Sequence, residues 1–269
     1  MSEQPLLSAA QQNDLLRDTF VEQVDQHFEL PSTSDRALEL ALRNEGSRPL
    51  LVLTRRQLSG RGRNTNRWWA ADGALTFSLL LGTDSFRLPT SRLSQVSLSV
   101  GLAVCETLAN LRSNWQAGLK WPNDVHLNRR KVCGILVEVA PQRPPSDGNP
   151  VMVIGIGINV NNSLESGPLE LRQTATAMTD EAGQRFDLVD VLTRVLQQLA
   201  DELSQLSERQ GPPTERWQNY CVLTGRQVRI ANGPNVTAGV CLGIDGDGGL
   251  LVRDSHTTFT CYSGTVSLR

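Results

Sequence analysis

The chain carries the stretch Gln57-Leu58-Ser59-Gly60-Arg61-Gly62-Arg63-Asn64-Thr65-Asn66-Arg67-Trp68-Trp69, around which the rest of the sequence can be interpreted. Five arginines and no acidic residue lie between Arg55 and Arg67. The planar guanidinium suits carboxylate and phosphate oxygens, and glycine lets backbone N–H groups approach an anion closely. An aromatic face such as that of Trp68 can stack on a flat ring. The stretch therefore predicts a site for a ligand such as a nucleotide. The alternative is a solvated basic loop before a strand.

Composition narrows the class of protein. A length of 269 residues fits one large domain, or one domain with a small second one. The formal charge of −2 gives no general attraction for nucleic acid. The five cysteines are odd in number and form no C-x-x-C, and the three histidines are isolated. We therefore expect a cytoplasmic protein without a metal site, a nucleic-acid partner or a membrane segment.

The lysines are unusually few. Only Lys120 and Lys131 are present, against twenty-four arginines. An arginine-rich composition explains the surface, but both lysines lie inside motif-like strings. Because arginine replaces lysine easily except where a compact ammonium is needed, we expect these two to have a role in the site.

Leu16, Phe20, Val24 and Phe28 are apolar positions at helical spacing, and residues 1–27 are therefore predicted to form one helix at most. That is too short for a three-helix DNA-binding domain. A second helix is predicted to start at Ser32 or Ser34 and to run to about Asn44, with Gly46 as its stop.

The remaining chain alternates between strands and helices. Strands are predicted at Leu50–Leu53, around Leu75–Leu79, at Val132–Val139 and at Val151–Val160. Helices are predicted at Pro89–Leu108, from Asp187 to about Arg209, and at Thr214–Tyr220. From Gly225 onward, short strands joined by tight turns predict a small barrel.

Several motifs occur in a specific order along the chain. They are Ser32-Thr33, Gly60-Arg61-Gly62-Arg63 followed by Trp68, Lys120-Trp121-Pro122-Asn123-Asp124, Lys131-x-x-Gly134-Ile135-Leu136-Val137-Glu138, and Gly155-Ile156-Gly157-Ile158-Asn159. In this order they resemble the biotin protein ligases, over about residues 28–269.

The resemblance implies an α+β fold, with a mixed sheet flanked by helices as in class II tRNA synthetases and biotin ligases, and a small SH3-like C-terminal β-barrel. The implied organisation is an N-terminal helix or extension at residues 1–27, a catalytic domain at 28–222 and the barrel at 223–269. It also implies the monofunctional type, without an N-terminal DNA-binding domain. The implied enzyme activates biotin with ATP, accompanied by Mg²⁺, and transfers biotin to a lysine of the biotin carboxyl carrier protein of acetyl-CoA carboxylase.

The resemblance also assigns roles to individual residues. For catalysis it implies Arg63, Lys120, Lys131 and Asp124. For biotin it implies Ser32, Thr33, Ser34, Gln57, Gly60, Arg61, Gly62, Arg63, Lys131 and Gly134. For the nucleotide it implies Arg61, Arg63, Trp68, Lys120, Asn123 and Asn159. Asp124 is a candidate for orienting or deprotonating the acceptor lysine, with a turn-capping residue as the alternative.

The chain departs from the family pattern in two places. Ser34 stands where the family usually has Asn, which gives a shorter polar reach. Asn64-Thr65 replaces a stretch that usually contains glycine, and only Asn64 tolerates a positive φ. The second departure makes the shape of the loop an open question.

Other functions remain alternatives at this point. A lipoate or octanoyl ligase or transferase would share the fold, and a non-enzymatic biotin sensor or a DNA-binding regulator would be a different class. The near-neutral charge argues against the regulator. A homodimer is open, because the strand Val151–Val160 could lie at a sheet edge, although a core strand is the simpler interpretation.

Overall fold

The structure is a computed structural model that describes residues 5–43, 49–141, 149–165, 167–208, 214–255 and 257–268. The strands, numbered in chain order, are β1 (Gln23–Leu30), β2 (Leu50–Gln57), β3 (Gly60–Arg61), β4 (Arg67–Trp68), β5 (Leu75–Gly82), β6 (Ala117–Lys120), β7 (Asp124–Leu127), β8 (Arg130–Val139), β9 (Val151–Ile158), β10 (Gln227–Asn232), β11 (Asn235–Ile244), β12 (Leu250–Arg253), β13 (Thr258–Cys261) and β14 (Thr265–Leu268). The helices are α1 (Ala9–Asp18), α2 (Thr33–Arg43), α3 (Val96–Leu111), α4 (Leu169–Thr174), α5 (Met178–Ala182), α6 (Leu188–Glu208) and α7 (Thr214–Tyr220).

A seven-stranded mixed sheet organises the molecule, in the order β1-β2-β5-β9-β8-β7-β6. Only β1 and β2 run parallel, and the other neighbours pair antiparallel. The long helices α3, which is mostly apolar, and α6, which is amphipathic, pack on each other, and their apolar side chains belong to the main hydrophobic core together with those of the sheet. The opposite face carries α2 over a smaller cluster that includes Ala37, Val52 and Leu80. This layered architecture confirms the predicted α+β class.

The N-terminal prediction is partly wrong. The helix ends at Asp18, and Val24 and Phe28 lie in β1 rather than in a helix. A spacing of four residues keeps side chains on one side of a helix, but it is also a multiple of the two-residue repeat of a strand. The spacing alone therefore could not separate the two. The predicted end of the next helix at Asn44, with its stop at Gly46, lies outside the described residues.

Most other elements agree with their predictions. The predicted helix from Pro89 is divided into a 3₁₀ turn at Thr90–Gln95 and the α-helix α3. The strand β9 pairs with β5 on one side and β8 on the other, so it is a core strand and does not lie at a sheet edge. The predicted end of α6 at Arg209 lies outside the described residues.

The C-terminal strands form a five-stranded antiparallel sheet in the order β13-β12-β11-β10-β14. Among the described residues no pairing joins β13 to β14, so the sheet is open where a closed barrel was predicted. Its side chains Val228, Ile244 and Val252 belong to the same hydrophobic cluster as α3 and α6. The boundaries proposed between domains stay predictions.

Candidate active site

The site lies on the α2 face of the main sheet, where glycine and hydroxyl side chains replace the apolar ones. Antiparallel register places Thr76 beside Gly157 and Gly157 beside Gly134. The next row holds Ser78 beside Gly155. Because side chains alternate between the faces of a strand, these rows share one face, while their neighbours Leu75 and Phe77 enter the main core. The result is a shallow floor lined by small residues.

A chain of buried hydroxyls crosses one end of this floor. Thr33 donates to Gln57 Oε1 through both its backbone N, at 2.8 Å, and its Oγ1, at 3.2 Å. Ser78 Oγ donates to Thr33 Oγ1 at 2.8 Å. Since its single proton is used there, Ser78 must accept from Ser34 Oγ, 3.1 Å away. The direction of the chain is therefore fixed from Ser34 through Ser78 and Thr33 to Gln57. It leaves lone pairs at Ser34 and the N–H₂ group of Gln57 for a ligand.

The indole of Trp68 covers the floor. A Cβ added at Gly157 would lie 2.6 Å from Trp68 Nε1, and one added at Gly134 would lie 3.3 Å from Trp68 Cζ3. Lys131 Nζ lies 6.0 Å from the centroid of the Trp68 ring. A side chain at Gly157 would clash with the indole in this position, and one at Gly134 would be in tight contact with it.

The cations of the site differ in what they already bind. Lys131 Nζ forms an ion pair with Asp124 Oδ1 at 2.6 Å. Arg63 Nη1 donates to Asn123 Oδ1 and to Gly264 O, each at 3.4 Å, and makes no salt bridge with the described residues. Burial lowers the pKa of Arg63, and the charge of Asp124 opposes that shift. A half-buried guanidinium without a carboxylate partner is suited to an incoming anion.

Arg61, by contrast, is held by two acids. It donates to both oxygens of Glu138, at 2.9 and 2.6 Å, and its Nε lies 2.6 Å from Asp35 Oδ1. The hydrogen bonds to Glu138 are the main reason that its pKa is raised, and Asp35 adds to the effect. Its side chain thus anchors the basic loop to β8 and α2, and its direct role toward a ligand stays a prediction.

Most of the predicted residues line a single cleft. They are Ser32, Thr33, Ser34, Gln57, Arg61, Gly62, Arg63, Trp68, Lys120, Asn123, Asp124, Lys131 and Gly134. Gly60 lies just behind the lining, where an added Cβ would clash with Gln57 Nε2. Asn159 lies outside the lining: its Nδ2 donates to Thr176 O at 3.1 Å, and its Oδ1 accepts from Asn162. Its predicted nucleotide contact stays untested.

Sequence reasoning quoted Gly155, Ile156 and Gly157 as part of a motif but gave them no role. It missed the lining residues Thr76, Phe77, Gly264, Thr265 and Val266. The alternation in β5 could have identified Thr76, because it places that residue opposite the buried Leu75 and Phe77. No signal in the sequence indicated that β14 reaches the cleft from the far end of the chain.

The part of the chain that the structure describes contains neither a membrane-spanning helix nor a cluster of metal ligands. Its helices include none long and apolar enough to cross a membrane. Among the same residues, no group of three or more His, Cys, Asp or Glu side chains could hold a metal ion.

Comparison with known proteins gives a consistent result. The model of the biotin/lipoate A/B protein ligase family matches residues 28–161. The bifunctional ligase/repressor BirA of Bacillus subtilis is 30% identical over 244 residues, which cover 90% of this chain and 73% of that protein. The biotin–[acetyl-CoA-carboxylase] ligase of Paracoccus denitrificans is 31% identical over 229 residues, or 82% of this chain and 90% of that one.

Solved structures agree with this result. The biotin protein ligase of Aquifex aeolicus in complex with biotin and ATP superposes with a TM-score of 0.75 at 29% identity, covering 93% of this chain and 97% of that chain. At this coverage the structural match includes both the seven-stranded main sheet and the C-terminal sheet. The chain therefore belongs to the biotin/lipoate A/B protein ligase family, among its biotin protein ligases.

Proposed function

We propose that the protein is an ATP-dependent biotin–protein ligase. In the first step a carboxylate oxygen of biotin attacks the α-phosphate of ATP, and pyrophosphate leaves, giving biotinyl-5′-AMP. In the second step the amine of an acceptor lysine attacks the acyl carbon, AMP leaves, and an amide forms. The Paracoccus relative is named as a ligase acting on acetyl-CoA carboxylase, which supports the biotin carboxyl carrier protein of that enzyme as the acceptor.

The choice of biotin over lipoate as the substrate rests on the chain of hydrogen bonds from Ser34 through Ser78 and Thr33 to Gln57. Its ends offer acceptor lone pairs at Ser34 and donor N–H groups at Gln57. A cyclic urea carries N–H donors and a carbonyl acceptor, so it complements both ends. A dithiolane ring, as in lipoate, has neither, and seating it there would leave buried polar groups facing an apolar surface, at about 1–3 kcal/mol for each group.

The opposite end of the floor supports the activation step. Two anions must meet there, and Lys131, Arg63 and Lys120 line that part of the cleft. Charge-assisted hydrogen bonds from such groups contribute about 1.5–3 kcal/mol each, and they act most strongly where charge develops in the transition state. Lys131 is suited to the carboxylate and Arg63 to the phosphate.

Mg²⁺ belongs with the triphosphate of ATP. Magnesium commonly binds through one or two carboxylates together with substrate phosphates and water. Asp124 is a carboxylate of the cleft that fits this description, although Lys131 already pairs with it. We therefore treat the ion as part of the substrate, where it neutralises phosphate charge.

The transfer step needs a neutral amine. At pH 7 only about one lysine in a few thousand is unprotonated, given a pKa of about 10.4. Asp124 lies in the cleft and can orient the ammonium or receive its proton. Replacing it as Asp124→Asn should slow transfer from pre-formed biotinyl-adenylate, and an unchanged transfer rate would remove Asp124 from the chemistry.

The direct test of the proposal is pyrophosphate release. The protein with ATP and biotin should release pyrophosphate, whereas ATP with lipoate or octanoate should give little. Lys131→Met should reduce the biotin-dependent rate by about 10- to 150-fold, because it removes a charge-assisted contact to the reacting carboxylate. Release that depends on lipoate, or no release at all, would overturn the assignment.

A further inference from the structure

One polar side chain on the floor of the cleft has no role in the chemistry described so far. Thr76 is 2% exposed and lines the cleft, yet its Oγ1 makes no hydrogen bond with the described residues. Buried hydroxyls nearly always have a partner, because leaving one unpaired forfeits the hydrogen bonds that water gave it. A buried, unpaired hydroxyl that faces a ligand cleft points to a partner on the ligand.

The register of the sheet fixes where that partner must lie. Thr76 is two residues before Ser78 on β5, which separates the two side chains by about 7 Å on the same face. Across the sheet, Thr76 lies in one row with Gly157 and Gly134. Lys131 Nζ lies 3.3 Å from the position of a Cβ at Gly134. Thr76 is therefore between the hydroxyl chain and the cationic end of the floor.

The same part of the floor accepts a ring. The indole of Trp68 lies directly over Gly157, and its Nε1 is a second buried polar atom without a partner among the described residues. A ring thus fits against Gly157, in the room that the missing side chain leaves, with the Thr76 hydroxyl at its side. A ligand ring seated here takes the place of the indole, so Trp68 must move away when the ligand binds.

Biotin offers a single heteroatom in this position. Its urea is fused to a five-membered ring that contains a thioether sulfur, and the carboxylate ends the side chain on that ring. With the urea at the hydroxyl chain and the carboxylate at Lys131, the sulfur is the remaining heteroatom between them. A thioether sulfur is a weak acceptor, and a threonine hydroxyl can donate to it.

We propose that Thr76 is a specificity-determining residue whose Oγ1 donates a hydrogen bond to the thioether sulfur of bound biotin. This inference rests on the proposed function, because it takes the orientation of biotin from that proposal. Thr76 then distinguishes biotin from an analogue of the same shape that lacks sulfur. With such an analogue, its hydroxyl stays buried and unpaired.

The experiment compares the binding of two ligands to the parent protein and to two variants of Thr76. The dissociation constants of biotin and of desthiobiotin, which lacks the sulfur, are measured by calorimetry for the parent, Thr76→Val and Thr76→Ser. Valine keeps the branched shape that suits a strand and removes the hydroxyl, whereas serine keeps the hydroxyl. Each variant is its own control for folding, because the ratio of its two dissociation constants cancels a general loss of binding.

We expect Thr76→Val to weaken biotin by about two- to fivefold, at the lower end for a neutral hydrogen bond to a weak acceptor, and to leave desthiobiotin unchanged or tighter. Thr76→Ser should keep the preference of the parent. If Thr76→Val leaves the ratio as in the parent, the inference is wrong. If the ratio for Thr76→Val is unchanged but the parent protein binds biotin and releases pyrophosphate, only the inference about Thr76 is wrong. A parent that does neither contradicts the proposed function.

Discussion

Ser78 occupies the central position of the hydroxyl chain, where it both donates to Thr33 and accepts from Ser34. It is fully buried, and it faces Gly155, whose missing side chain leaves room for Ser34: an added Cβ would lie 2.5 Å from Ser34 Oγ. Ser34 depends on this residue for its acceptor, and Thr33 receives from it one of its hydrogen bonds. Recognition of the ligand ring is therefore expected to be sensitive to Ser78 although it need not contact the ligand.

Replacing Ser78 by alanine should raise KM for biotin by about 5- to 100-fold, because it removes the acceptor of the Ser34 hydroxyl and the donor to Thr33 Oγ1, at about 1–3 kcal/mol. KM for ATP should stay near the parent value. Steady-state kinetics with both substrates measure this, and Ser94→Ala, an exposed serine, is the control. Equal rises in both KM values would indicate a general loss of structure.

The histidine His126 is expected to make the stability of the protein depend on pH. Burial, with the nearby charge of Lys120, lowers its pKa from the usual 6.5 to about 4. Its Nδ1 lies 3.2 Å from Arg129 O, which suits the neutral ring as a donor. In the unfolded chain the ring takes up a proton near pH 6.5, but in the native state it does so only near pH 4. The unfolded state therefore binds more protons in this window, and stability falls as the pH decreases through it.

We expect His126→Gln to make the free energy of unfolding less dependent on pH between about 6.5 and 4. Urea unfolding at a series of pH values measures the difference between variant and parent, which isolates this group from the carboxylates. Parallel curves for His126→Gln and the parent would show that His126 does not titrate in this way.

At the scale of elements, the basic loop is a short two-stranded ribbon, β3 paired with β4, closed by a turn. Asn66 N donates to Arg63 O at 3.1 Å, and Gly62 N donates to Asn66 O at 2.9 Å. Asn64 adopts the left-handed conformation, with φ of 56°, and Thr65 does not. Asn64 therefore supplies the positive φ that the turn requires, and the loop keeps its shape without the glycine that the family usually has here.

Asn64→Val should disturb this turn, because a β-branched residue in the left-handed region costs about 1–2 kcal/mol more than one that tolerates it. We expect biotinyl-adenylate to dissociate about 5- to 30-fold faster, since the loop carries Arg63 and Trp68. Asn64→Gly should behave like the parent. Stopped-flow displacement of the adenylate measures the rates, and equal rates for the valine and glycine variants would contradict this account of the loop.

The elements themselves were largely predictable, but their neighbours were not. The alternation in β5 indicated a strand and its buried side, yet it could not show that Thr76 and Ser78 face glycines of β9, because register is set by pairing across the chain. The charges of the basic loop were evident, but the pairing of Arg61 with Glu138 depends on a contact between residues 77 positions apart. Local patterns carry no information on such distances.

At the scale of the whole molecule, the C-terminal sheet is part of the same folded body as the catalytic sheet. Trp121 Nε1 donates to Gly248 O at 3.0 Å, and Gln95 Nε2 donates to Gly246 O at 3.0 Å. Gly264 accepts from Arg63 within the cleft. With apolar side chains of both sheets in one cluster, the two parts are expected to stabilise each other.

We therefore expect a single cooperative unfolding transition, in which the calorimetric and van't Hoff enthalpies agree. Trp121→Phe should lower the midpoint of that single transition, because it leaves Gly248 O buried without its donor, at about 1–3 kcal/mol. Differential scanning calorimetry of the parent and the variant is the measurement. Two separated transitions would show that the C-terminal sheet folds as an independent domain.

The proposed function requires this site to activate biotin and to transfer it to a carrier lysine. The most direct measurement is intact-mass spectrometry of a biotin carboxyl carrier domain of acetyl-CoA carboxylase, incubated with the protein, ATP and biotin. We expect one added biotinyl group, located on a single lysine, and none when ATP is omitted or lipoate replaces biotin. A carrier that stays unmodified with biotin, or that gains a lipoyl group instead, would contradict the proposed function.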